Sequence, residues 1–319
     1  MALLPDDFRA ARGLSWGHAQ SLFGVMGRPK VDVPIRRERL QTPDGDFVDL
    51  DRVDGKAGAP TVILLHGLEG SSGSGYMQLM LRDLAALQWS AIALNARSCS
   101  GEPNLQAASY SSGDFRDLAW LVHKLEGPLF AVGFSLGASV LLNFLAKHES
   151  SQKLKGAVAV SAPFELARGV RFIDSGSVLS RAYLNRFLPA MKAKALAKAK
   201  TYSQQFDVRA IAAATRIRDF DDLVTAPLFG FASAEDYYTK CSAGPQLASI
   251  HTRTLLLSAH DDALAPPVLP VDVTHNPALD VLLTRRGGHV GFVTGSFLRP
   301  EFWAEARVLR WLQEEAQTR

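Results

Sequence analysis

Cysteine is nearly absent from this chain, with only Cys99 and Cys241 in 319 residues. Two thiols so far apart make no disulfide framework and suit a reducing compartment. An excess of one charge is also missing. Thirty-five Lys and Arg against 32 Asp and Glu leave a net charge of +3, too little to mark a nucleic-acid binder. No apolar run approaches the roughly 18 residues that a membrane span requires. The opening residues, Met1 to Leu14, lack a basic stretch leading into an apolar one, so no secretory signal is expected. There are no internal repeats and no low-complexity linkers. The expectation is a soluble, cytoplasmic protein with no nucleic-acid partner and no integral membrane segment. What the chain does have is apolar residues, 47% of the total. That is enough for a large core in one domain, or in a core with an inserted subdomain.

The most informative stretch is Leu129 to Leu145. A short apolar run, Leu129 to Val132, stops at Gly133. Ser135 and Gly137 follow, and then Val140, Leu141, Phe144 and Leu145 recur at helical spacing. A Gly-x-Ser-x-Gly pattern between a strand and a helix is the signature of a nucleophile elbow. The two glycines serve a steric purpose, because strand and helix converge there and a Cβ would clash. The helix N-terminus behind Ser135 favours negative charge developing nearby.

Around this stretch the chain alternates. Residues 1–32 are mixed; Trp16, Leu22, Phe23, Val25 and Met26 suggest a helix that packs its apolar side on the core. Arg36–Gln41 and Phe47–Val53, joined through Pro43-Asp44-Gly45, form a hairpin. Thr61–Leu65, Ser90–Leu94, Leu129–Phe134, Gly156–Val160, Thr254–Leu257 and Leu279–Leu283 are strands. Helices lie between them at Ser74–Leu87 and Asp114–Leu125, and another closes the chain from Glu301. Such alternation predicts an α/β fold with a mostly parallel sheet flanked by helices. It breaks between Phe164 and Ile250, where roughly 90 residues carry helical patterns, too many for a simple connection. The chain therefore divides into an N-terminal extension (1–32), a first core part (33–163), an inserted helical lid (164–250) and a second core part (251–319).

A serine hydroxyl needs a base within hydrogen-bond reach. In this architecture the chain order is Ser, then Asp or Glu, then His. His275 and His289 remain as candidates for the base. His289, in the glycine-rich loop 287–291 after the last strand, is the choice, and His275 reads as a surface turn. Asp261 and Asp262 compete for the acid. Asp262 fits the spacing to Pro266 expected of such hydrolases, and Asp261 reads as a supporting loop residue. A His260-Asp261-Asp262 metal site is disfavoured because no second ligand cluster accompanies it; no cofactor is required. The oxyanion formed during acyl transfer needs two backbone N–H groups. Leu136, just after the nucleophile, and Leu68, after His66-Gly67, are the candidates. Gly70, Gly73 and Gly75 keep that loop open, and His66, which precedes the acid, shapes it.

At this point the sequence resembles a known family. PDGDFVDLD (43–51), HGLEGSSGSGYM (66–77), NARSCSGEPN (95–104), VGFSLGASVLLNFL (132–145), DFDDLVTAPLFGFASAEDYY (219–238), SAHDDALAP (258–266) and GGHVGF (287–292) carry the likeness. They are similar to the YheT-type branch of the α/β-hydrolase superfamily, related to the abhydrolase-domain 1/2/3 proteins. Ala138-Ser139 and Ala263 depart from that family's usual residues without touching the nucleophile. The resemblance implies a carboxylic-ester hydrolase with the triad Ser135, Asp262 and His289, acting on small-molecule or lipid-like esters. Acyl transfer with the same residues, or a non-catalytic binding protein on the same scaffold, are the alternatives. The lid carries Phe172, Tyr183, Phe187, Tyr202, Phe206, Phe220, Phe229, Phe231, Tyr237 and Tyr238, candidates to line an acyl pocket. Its basic stretch Met191–Lys200 reads as a solvated helix face, with peripheral membrane contact as the other option.

Overall fold

The computed structural model describes residues 1–269 and 275–318. Nine strands form one sheet: β1 (Ala2–Leu3), β2 (Arg36–Gln41), β3 (Phe47–Val53), β4 (Thr61–Leu65), β5 (Ser90–Asn95), β6 (Leu129–Phe134), β7 (Leu154–Val160), β8 (Thr254–Ala259) and β9 (Leu279–Thr284). Their order is β1-β9-β8-β7-β6-β4-β5-β3-β2. Within this sheet, among the described residues, only the β2–β3 and β3–β5 pairs are antiparallel. The central strands are apolar on both faces, as a buried parallel sheet requires. Ile63 and Leu65 of β4 join one core with Leu121 and Leu141, while Val62 and Leu64 join the other with Met80 and Trp311. The first face is covered by α3 (Arg116–Lys124) and α4 (Leu136–Lys147). On the second face lie α2 (Gly75–Ala86) and the C-terminal α11 (Trp303–Gln317).

The expected N-terminal helix is α1 (Gly17–Met26); of the apolar residues that suggested it, Phe23 packs inward beside Ala11, Leu14 and Val293, but the others do not. Gly17, Gln20, Ser21 and Gly24 face inward, whereas Trp16, Leu22, Val25 and Met26 are exposed. The reason is proximity. A Cβ on Gly17 would stand 2.2 Å from the Asp261 carbonyl oxygen, and one on Gly24 would stand 2.8 Å from the Gly291 Cα. Only small residues fit between α1 and the loops it covers. The C-terminal region also differs from the expectation. A hairpin, β10 (Val293–Ser296) and β11 (Arg299–Phe302), takes up Glu301, so α11 begins two residues later.

Between β7 and β8 the chain is helical: α5 (Leu166–Ile173), α6 (Val178–Ala199), α7 (Val208–Ala213), α8 (Ile217–Phe220), a π-turn (Asp221–Thr225), α9 (Ala226–Leu228) and α10 (Ala234–Cys241). The helices from α5 to α9 share a core of their own, including Tyr183, Leu188, Met191, Ile211 and Phe220, which reaches Leu264 and Leu68 of the sheet loops, while α10 packs with Leu166 in a second cluster. The basic stretch of α6 is not a solvated face. Lys194 pairs with Glu69 at 2.9 Å, and the buried Lys198 bonds the carbonyls of Asn104 and Gln106. Long aliphatic stems let both ammonium groups reach across to core loops. Among the described residues, no helix is long and apolar enough to cross a membrane.

Candidate active site

Ser135, Asp262, His289, Leu68 and Leu136 all follow the C-terminal ends of parallel strands, where loops can converge over the sheet. Ser135 connects β6 to α4 with φ 53° and ψ −120°. That conformation is unfavourable for a residue with a Cβ, at a cost of order 1–3 kcal/mol. It is held because the Ser135 N–H donates to Val160 O at 2.9 Å, and because the flanking glycines permit close approach. A Cβ on Gly133 would lie 2.6 Å from the Ala138 Cα, and one on Gly137 would lie 2.5 Å from the His66 carbonyl oxygen.

His289 Nε2 stands 2.7 Å from Ser135 Oγ, and its Nδ1 stands 2.9 Å from Asp262 Oδ2. The other oxygen of Asp262 accepts from the backbone N–H groups of Leu264 and Ala265, each at 2.9 Å. The carboxylate is buried and fixed from both sides. Asp261 instead accepts from Gly288 N–H at 2.9 Å, bracing the loop that carries the imidazole. His275 is exposed and lies beside Ala248 and His251, outside this group. His260 is exposed at the end of β8.

The histidine loop turns through positive φ at Gly287, Gly288 and Val290. Ser21 of α1 accepts the His289 N–H at 2.8 Å, and Ser161 accepts that of Val290 at 3.1 Å. Arg28 bonds the Val290 carbonyl at 2.8 Å and is itself paired with the buried Glu305. Sequence reasoning overlooked this bracing. The available signal was small and polar residues at Gly17, Ser21 and Gly24, spaced along one helical face.

The loop after β4 is pinned on either side of Leu68. Gly67 N–H donates to the Tyr76 hydroxyl at 2.9 Å, and Glu69 N–H donates to the Tyr110 hydroxyl at 3.0 Å. The N–H groups of Leu68 and Leu136 have no acceptor among the described residues. Both leucines line the same cavity as Ser135 and His289. His66 is buried. Its Nε2 accepts from Ala96 N–H at 3.0 Å, so its Nδ1–H donates to Gly67 O at 2.8 Å. Burial, with Lys194 nearby, lowers its pKa to about 4, so it is neutral at physiological pH. Asn95 accepts from Ser72 N–H at 2.8 Å and donates to Asp51, tying the loop to β3. Asp49 and Asp51 stand opposite Arg39 and Arg37 across the hairpin. The acidic alternation of 43–51, which the sequence places in a hairpin, therefore anchors loops around the site.

Two cavities meet here. The one holding Ser135 and His289, about 690 Å³ including the space open to solvent, is walled by Leu166, Val170, Ile173, Phe187, Ile217 and Leu264. The second, about 620 Å³ including the space open to solvent, carries Glu69, Ser109, Tyr110 and Lys194 along with Phe206, Phe220 and Phe229. Phe231 lines neither; it packs on Tyr237. Phe172 and Tyr183 pack around His18 of α1.

A strained serine on a strand–helix elbow, a histidine and a buried aspartate in one hydrogen-bonded line, and two N–H groups without acceptors beside them form an arrangement that is chemically capable of acyl transfer. The family model of the α/β hydrolase fold matches residues 60–296. The chain belongs to the α/β-hydrolase family. Within that family it is 37% identical over 317 residues to YheT of Escherichia coli, covering 96% of this chain and 93% of that protein. It is 31% identical to Phospholipase ABHD3 of Mus musculus, covering 88% of this chain and 72% of that protein. Among solved structures, an esterase of Pyrococcus furiosus shares the α/β-hydrolase fold at a TM-score of 0.56 and 17% identity, covering 90% of this chain and 96% of that one.

Proposed function

We propose that this α/β hydrolase cleaves carboxylic esters through an acyl-enzyme on Ser135. His289 takes the hydroxyl proton as Ser135 attacks the ester carbonyl. Asp262 holds the imidazole tautomer and steadies its positive charge. The backbone N–H groups of Leu68 and Leu136 receive the oxyanion. Collapse of the tetrahedral intermediate releases the alcohol, protonated by His289, and water then repeats the sequence on the acyl-enzyme. The observation that carries the reading is the 2.7 Å contact between His289 Nε2 and Ser135 Oγ at the base of an apolar cavity. The phospholipase name of a relative supports ester substrates with lipid-like acyl groups.

The helical segment 164–250 acts as the lid in this reading, and its cavity wall receives the acyl chain. Two free thiols, Cys99 and Cys241, fit a cytoplasmic setting. The test is labelling of the intact protein by a fluorophosphonate, followed by hydrolysis of p-nitrophenyl esters from C2 to C12. Labelling and turnover should both vanish in Ser135→Ala while the fold persists. Turnover by Ser135→Ala within tenfold of wild type would refute the assignment.

A further inference from the structure

Asp221 is a buried carboxylate that the mechanism above does not use. It opens the π-turn that follows α8, a helical irregularity of a kind often kept at functional sites. One oxygen accepts from the Thr225 hydroxyl at 2.6 Å and the other from the Tyr238 hydroxyl at 2.7 Å. Among the described residues, no Lys, Arg or His lies within salt-bridge reach. The charges acting on it, Asp174 and Asp222, have its own sign. Burial raises its pKa to about 6, so it is ionised at neutral pH in spite of its surroundings. Linking Thr225 to Tyr238 is a task that an amide side chain performs without burying a charge.

Its position suggests what the charge is for. Asp221, Leu68, Leu136, Met191 and Tyr237 line both cavities, so the carboxylate stands where the two meet. The first cavity, apolar beyond Ser135, suits the acyl chain. The second is also largely apolar but carries several polar groups: Glu69 and Lys194 pair with each other, Lys198 is taken up by two carbonyls, and Tyr110 bonds Glu69. Among the described residues, neither Lys198 nor Asp221 on that wall has an opposite charge within salt-bridge reach, but Lys198 is taken up by two carbonyls, whereas Asp221 has only its two hydroxyl partners. Each of its oxygens also retains acceptor capacity after its single hydroxyl bond.

We propose that Asp221 is a specificity-determining residue, whose carboxylate anchors a hydrogen-bond-donating substituent, a hydroxyl or an ammonium group, on the alcohol half of the ester. The inference rests on the esterase reading given above. In the resting protein the buried charge is incompletely matched, and the substrate's donor completes its coordination as the acyl chain enters the neighbouring cavity. A site built to receive such a donor discriminates against an alcohol that lacks it.

The test uses three octanoate esters that differ only in the alcohol: propyl, 3-hydroxypropyl and 3-aminopropyl. In wild type, kcat/KM for each donor-bearing ester should exceed that of the propyl ester by roughly tenfold or more, mainly through KM. Asp221→Asn, nearly isosteric, should collapse the aminopropyl preference and weaken the hydroxypropyl one. Asp221→Leu should remove both preferences. A uniform fall across the three esters in the Asn variant would overturn the inference, because a purely structural role lowers all alike. Equal wild-type rates on all three would overturn it too, while leaving the esterase reading intact. If wild type cleaved none of them and no fluorophosphonate labelled Ser135, the esterase reading itself would fail, and this inference with it.

Discussion

Gly17→Ala tests whether α1 positions the histidine or merely covers it. In a helix, alanine is the better residue by up to about 1 kcal/mol, and by less at a first position such as this one. Taken alone, helix propensity predicts a slightly more stable protein. The structure predicts the reverse. The new methyl carbon would stand 2.2 Å from the Asp261 carbonyl oxygen and 3.0 Å from its Cγ, where contacts below 3.0 Å essentially do not occur. Helix and loop must therefore separate by about 0.8 Å or more. Overpacking of this sort costs about 1–3 kcal/mol, which outweighs the propensity gain. The retreat acts on two bonds that fix the imidazole: Ser21 Oγ to His289 N–H at 2.8 Å and Asp261 Oδ1 to Gly288 N–H at 2.9 Å. A misplacement near 1 Å at a reacting group lowers rates by about 100-fold. The assay pairs thermal melting with kcat/KM on a short p-nitrophenyl ester and the second-order rate of fluorophosphonate labelling, all well below the melting temperature. Trp16→Ala, at an exposed neighbour, serves as the control and should change little. A Gly17→Ala protein that melts earlier yet labels at the wild-type rate would refute the positioning argument.

Asp262→Asn should lower kcat by about three to four orders of magnitude through loss of tautomer and charge support, whereas Asp261→Asn should cost far less; exchanged behaviour in a pH 8 ester assay would reverse the assignment. Asp221→Asn should raise stability at high pH. The folded protein holds this proton more tightly than the unfolded chain, with a pKa raised from 3.8 to about 6. Wild-type stability contributed by the protonated group is therefore lost as pH rises from about 4 to about 6. A shift of about 2 units corresponds to roughly 3 kcal/mol as an upper figure. Urea melts at pH 4 and pH 8 should show the variant's advantage only at the higher pH; an equal advantage at both would contradict the burial argument. Phe187→Ala should alter the preferred acyl length, since each buried methylene contributes about 0.8 kcal/mol, whereas Phe231→Ala, away from both cavities, should not. A uniform loss across C2 to C12 esters in Phe187→Ala would mean that its ring only supports the fold.

Strand positions were legible because buried parallel strands are continuous apolar runs, and Thr61–Leu65 and Leu129–Phe134 have the predicted limits. The elbow was legible because steric demand there admits little but glycine at 133 and 137. The contacts of α1 were not. A Gly-Ser-Gly face gives almost no hydrophobic signal, and the exposed Trp16, Leu22, Val25 and Met26 give a misleading one. Asp221 was equally invisible. It sits beside Asp222, which is solvent-exposed, and sequence offers no means of telling which of two adjacent carboxylates turns inward. The inward lysines of α6 escaped for a related reason, since periodicity assigns charge to solvent and cannot register a partner more than 90 residues away.

Those lysines bear on how the helical segment relates to the chemistry. Lys194 pairs with Glu69, the residue directly after Leu68, and Glu69 is itself held at φ 53°. The Glu69 side chain is only 10% exposed. Removing the lysine would leave a carboxylate largely out of water and short of its counter-charge, which is more damaging than losing a surface pair. Lys198 fixes the 104–106 loop by two carbonyl bonds in the same way. One helix of the inserted segment thus grips the two loops that border the second cavity, one of them the loop carrying the Leu68 N–H. Any displacement of α6 would have to strip charged groups from both loops at once. The helical segment and the loop carrying Leu68 are therefore tied together directly, whereas Ser135 is held by the sheet through Val160.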